Sequence, residues 1–347
     1  MPLSVSQIAT QRALVSAVSC VLCLVAAEAI GLEHSNLAVW TTFLVTAQYP
    51  FSRFQKGLER VIGRGFGILA GLILTTWFNE QSLVALSVTA VLLTFCFYVY
   101  FAGRLAYTFL NAGLYLVATF HIGHSDPNSA VSEAEGLFYA VAIGVLSADV
   151  VVWLSGSELS LAIQTGEASL WPIRRDWLSQ SVMLVVTVIL TLLGARVLGL
   201  PPEKAAVSVM LLTVSPHLQA LLLKGELRIL GLVLAVVWSV VIFLLIGLLP
   251  YFVLLASLLF LGILVATYLT QTLGKYSYAG MQMGLVLPLI VVARPAEFGS
   301  FTPAVQRLEG VVIGLAASIL VAGLWPLFPV RAVPQPPPPN LPGEMDV

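Results

Sequence analysis

The sequence predicts an all-α integral membrane protein of about twelve transmembrane helices in two parallel six-helix repeats. Three observations predict it. Hydrophobic residues make up 59% of the 347 and charged ones 10%, with a mean hydropathy of +0.98, whereas a soluble domain is about a quarter charged. Apolar runs that suit a bilayer, which takes roughly 17–25 helical residues each, occur at 12–31, 36–51, 61–78, 82–102, 105–122, 136–155, 179–199, 204–222, 228–247, 250–270, 276–293 and 308–328. Finally, residues 31–67 laid without a gap on 199–235 share nine identical columns of 37, among them Lys56/Lys224, Gly57/Gly225, Arg60/Arg228 and Gly63/Gly231. Apolar identities are cheap in such a chain, but Lys and Arg are scarce, so the shared Lys-Gly-x2-Arg-x2-Gly carries the argument.

The first run follows MPLSVSQIATQR, which lacks the basic start of a signal peptide, so it is expected to remain as a helix. Cys20, Cys23 and Cys96 lie in apolar runs and are odd in number, which suits small core residues better than a disulfide framework or metal set. The second and eighth runs are short and occupy the same place in the two halves. After the second, Gln48, Tyr49 and Pro50 halt the helix, and Arg53, Lys56, Arg60 and Arg64 follow at near-helical spacing. Residues 1–155 then form the first repeat, 156–178 a polar linker with Arg174 and Arg175, 179–331 the second repeat, and 332–347 a proline-rich tail with no means of building a core. The tail reads as disordered, with a partner-docking role as the alternative.

With the N-terminus inside, twelve of the sixteen Lys and Arg fall on inner segments, while the outer ones carry Glu33, Glu80, Asp126, Glu133, Glu135, Glu203 and Glu297. The positive-inside bias therefore expects both termini in the cytoplasm. An even number of helices per half gives the halves the same orientation, related by an axis along the membrane normal.

Lys56, Arg60 and Arg64 are spaced by four and share a helix face, and Lys224 and Arg228 repeat the first two. Such stripes can simply fix topology. Two of them, each following an interrupted span in corresponding halves, point instead to a transporter's substrate site, where guanidinium groups suit a carboxylate. Tyr49 stands where the first helix breaks. Asn111 and Gln282 occupy equivalent mid-helix places, in Tyr107-x3-Asn111 and Tyr278-x3-Gln282, and suit interhelical hydrogen bonding or substrate contact. Glu28 near the outer end of the first run and Asp149 within the sixth are acids at membrane depth, so both are candidates to carry a coupling proton. Trp40, Tyr98, Tyr107 and Tyr278 read as interfacial anchors. Arg307 and Glu309 suit a local ion pair, and His121, His124 and Asp126 an outer loop.

Net charge is -1 and no basic tail exists, so no nucleic-acid partner is expected. The chain has no Gly-x4-Gly-Lys-Ser/Thr, Gly-x-Ser-x-Gly or His-Glu-x2-His. No enzymatic activity, cofactor or metal is expected.

On the short helix ending near Tyr49-Pro50, the following Lys56-Gly57-x2-Arg60-x2-Gly63-x3-Gly67 and the weaker copy at Lys224–Gly231, the chain resembles the fusaric acid resistance superfamily, which includes the bacterial aromatic acid exporters. The resemblance implies an inner-membrane exporter of aromatic or other organic carboxylates, working with a periplasmic adaptor of the membrane-fusion type. It also implies that Lys56, Arg60, Lys224 and Arg228 face a path between the halves. Many such exporters carry a large soluble domain that has no counterpart in 156–178 or in the tail. The expected function is proton-coupled export of a small organic anion; a passive anion channel and a non-transporting scaffold are the alternatives.

Overall fold

The computed structural model describes residues 5–48, 53–78, 82–103, 105–125, 128–155, 175–200, 218–292 and 301–325. Among these residues the structure is all-helical: α1 (Val5–Ala29), α2 (Ser35–Gln48), α3 (Arg53–Phe78), α4 (Ser82–Phe101), α5 (Ala106–Ser125), α6 (Ala130–Leu154), α7 (Arg175–Val197), α8 (Leu218–Leu248), α9 (Phe252–Thr272), a 3-10 turn (Gly274–Tyr276), α10 (Ser277–Val291) and α11 (Thr302–Leu324). Tyr49, most of the linker, the greater part of the eighth run and the proline tail lie outside the described residues.

Eight of these helices, α1, α3, α4, α6, α7, α8, α9 and α11, are long and apolar enough to cross a membrane. The twelve-span expectation meets its limit in α2, α5 and α10. Helix α2 has 14 residues, about 21 Å of helix against a hydrocarbon core of about 30 Å. Helix α10 has 15 residues with Pro288 inside it, and α5 carries Asn111, His121 and His124. These three are largely buried within the bundle, where side chains meet protein instead of lipid and polar groups are tolerated.

Each polar start is absorbed into the helix that follows it. The cationic stripe, Arg53 to Arg64, forms the start of α3, and α6 and α11 begin at Ala130 and Thr302, one to two turns before the apolar runs. His121 and His124 belong to the end of α5 and not to a loop. Arg307 and Glu309 make no ion pair among the described residues, because side chains two apart on a helix do not face each other.

The packing pairs recur along the chain. The contacts of α3 with α5, α4 with α5, α3 with α6 and α1 with α6 reappear as α8 with α10, α9 with α10, α8 with α11 and α7 with α11, and α1 meets α9 while α4 meets α7. The repeated glycines explain the closest of these approaches. A Cβ on Gly63 would run into the Thr108 carbonyl oxygen, and one on Gly231 into that of Ala279. One core unites α1, α2, α8, α9 and α10, and Cys20, Cys23 and Phe43 are buried in it without any accessible surface. The cysteines are free and buried, as small core residues.

Candidate carboxylate site

Four helices each contribute side chains four residues apart to one cavity of about 300 Å³. Trp40 and Leu44 come from α2, Lys56 and Arg60 from α3, Tyr107 and Asn111 from α5, and Tyr278 and Gln282 from α10. The i,i+4 spacing puts each pair on one helix face, and the glycine contact between α3 and α5 sets Arg60 against Tyr107.

Arg60 is 2% exposed. Its Nη1 donates to the Tyr107 hydroxyl at 2.5 Å, and its guanidinium carbon lies 4.4 Å from the Trp40 ring centroid. Its Nε and Nη2 are buried with no hydrogen-bond partner. Those two atoms form one edge of the guanidinium, the fork that binds a carboxylate through two parallel hydrogen bonds. Gln282 is 1% exposed, and neither its amide oxygen nor its nitrogen is hydrogen-bonded. Asn111 donates from Nδ2 to the Tyr107 carbonyl oxygen at 2.7 Å, which leaves its Oδ1 without a partner, as is the Trp40 indole N–H. Buried polar groups are nearly always satisfied, so several orphaned groups around one cavity mark a place where something else supplies the partners. Among the described residues no Asp or Glu lines the cavity. The donors suit an anion, and Trp40, Tyr107 and Tyr278 suit an aromatic ring beside it.

The structure thus brings Lys56, Arg60, Asn111 and Gln282 together. Arg64 lies outside the lining: it is fully buried, has no hydrogen bond at any guanidinium nitrogen and stands 3.8 Å over the Tyr115 ring. Arg228 is buried on α8 beside Tyr278, the counterpart of the Arg60–Tyr107 pair. Lys224 is half-buried one turn earlier. Asp149 is half-buried on α6 between the exposed Leu146 and Val150, away from the cavity. Glu28 is exposed and borders a separate cleft of about 750 Å³ with Glu33 and Tyr251.

Trp40 and Tyr107 are buried cavity residues, not interfacial anchors; the Tyr-x3-Asn/Gln echo between the halves was the signal for Tyr107 and Tyr278. Sequence reasoning gave no role to Glu59, which pairs with Lys56, and assigned Arg307 only to a local ion pair. The Arg307 Nε and Nη2 are buried without hydrogen bonds, near enough to Arg228 to feel its charge. Glu33, His34 and Glu133 bring three ligand-type atoms within 4.8 Å of one another, with His34 Nε2, just before α2, at 3.0 Å from Glu133 Oε2 on α6.

Comparison with known proteins agrees with this picture. The family model described as fusaric acid resistance protein-like matches residues 22–133, and that described as aromatic acid exporter family member 1 matches residues 180–324. Neither the curated proteins nor the solved structures yield a match. The first match contains the Arg60 motif and the second its Arg228 copy, so the two halves of this multi-pass membrane protein are similar to the fusaric acid resistance-like and the aromatic acid exporter families respectively.

Proposed function

We propose that the protein exports small aromatic carboxylates across the bacterial inner membrane, through a path between two like-oriented six-helix bundles. The observation that carries this reading is the open Nε–Nη2 edge of Arg60, buried in a cationic cavity walled by aromatic rings. Arg228 with Tyr278 would receive the anion from the second bundle. The recurrence of the packing pairs supports two like repeats, and the positive-inside bias of the sequence supports both termini in the cytoplasm. Export is driven by proton exchange at Asp149 or Glu28, and a periplasmic adaptor carries the product onward.

Labelled benzoate in proteoliposomes, with and without a pH gradient, tests the reading. Arg60→Ala lowers transport at least tenfold while the protein persists in the membrane; unchanged transport removes the assignment. A passive anion channel is favoured by one observation, that no acid lines the cavity among the described residues. Currents that reverse at the anion equilibrium potential and ignore the pH gradient would decide for it.

A further inference from the structure

Glu59 is 5% exposed and precedes Arg60 on α3. Its carboxylate accepts hydrogen bonds from Lys56 Nζ at 3.1 Å and 3.3 Å and from Gln55 Nε2 at 3.1 Å. The ion pair spans a wall between two spaces. Lys56 lines the cationic cavity, whereas Glu59 lines an apolar one of about 530 Å³ between α3, α4 and α5. Lys56 Nζ also stands 5.7 Å from the ring of Tyr107, whose hydroxyl receives Arg60. The ammonium thus pairs with a carboxylate of the chain itself and borders the same cavity as Arg60, whose free edge would hold an external one.

The second half lacks this arrangement. In the 168-residue alignment Glu59 falls on Leu227, which is buried, and the nearby Glu226 is exposed. The position thus accepts an aliphatic side chain in the same fold, so packing alone does not call for the acid. Buried charge is tolerated when paired, and two carboxylates cannot both hold one ammonium at full strength.

We propose that Glu59 is a displaceable internal counter-ion: it holds Lys56 until an incoming carboxylate takes its place, so that the Lys56–Glu59 pair sets the affinity of the cavity for anions. The proposal rests on the reading of the cavity as a carboxylate site, and Glu59 acts in it as a positioning residue, through Lys56.

The test is benzoate binding to the purified full chain, measured by titration calorimetry. Glu59→Gln and Glu59→Leu each bind benzoate about fivefold tighter than the wild type, the scale of one ion pair at a partly exposed site, and Glu59→Asp restores wild-type affinity. In a Lys56→Met background, Glu59→Gln changes affinity less than about twofold. Wild-type or weaker binding by both neutral variants, or an equal gain without Lys56, overturns the proposal. So does failure of both neutral variants to fold, since the acid would then be structural. If Arg60→Ala binds benzoate as tightly as the wild type, the carboxylate-site reading itself fails, whatever Glu59 does.

Discussion

Arg60 donates from Nη1 to the Tyr107 hydroxyl at 2.5 Å, and this single bond turns the opposite edge of the guanidinium, Nε and Nη2, towards unpaired space. Tyr107 thereby decides which edge of Arg60 is available. Tyr107→Phe removes the acceptor and keeps the ring. A hydrogen bond to a charged group is worth about 1.5–3 kcal/mol, so KM for benzoate rises about tenfold in proteoliposome uptake, with the maximal rate less affected.

Gln282→Leu separates site from scaffold. Neither polar atom of this buried amide has a hydrogen-bond partner, and replacing an unsatisfied group with an apolar one of similar size relieves desolvation of about 1–3 kcal/mol. The variant therefore melts at the same or a higher temperature while binding benzoate more weakly. Thermal unfolding and calorimetry on one preparation check the opposite signs.

Gly63→Val and Gly231→Val each drive a side chain into a carbonyl oxygen of the neighbouring helix, Thr108 and Ala279. Overpacking of this kind costs about 1–3 kcal/mol or more, and both variants lower the melting temperature. Gly247 meets no neighbouring atom within 4 Å of a built Cβ, so Gly247→Ala leaves it unchanged or slightly raised.

Asp149→Asn tests the proton step. If Asp149 exchanges the proton, the variant retains benzoate binding but loses the stimulation of transport by a pH gradient, whereas Glu28→Gln retains both. The reverse pattern moves the role to Glu28, and a gradient response in both variants removes these two acids from the coupling. Initial rates at equal and unequal pH across the vesicle membrane read the difference.

Composition and the paired motif determined a membrane-embedded helical protein and singled out Arg60 and Arg228, because charge is scarce in such a chain and period four puts residues on one helix face. The same reasoning marked Arg64 with Lys56 and Arg60. A rigid helix does carry all three along one side, yet the neighbours differ: Lys56 and Arg60 border the cavity, while Arg64 lies against Tyr115. Glu59 was illegible because an acid beside a basic stripe looks like an ordinary helix ion pair until its burial is known.

What the sequence by itself determined is therefore local and periodic: apolar spans, an interrupted α2, a face of positive charge and its copy. Only the tertiary structure decided that Trp40, Tyr107, Tyr278 and Gln282 share one cavity with Arg60, since they come from helices far apart in the chain. Their meeting depends on how closely α3 approaches α5, and α2 approaches α10, at glycines that spacing alone cannot orient.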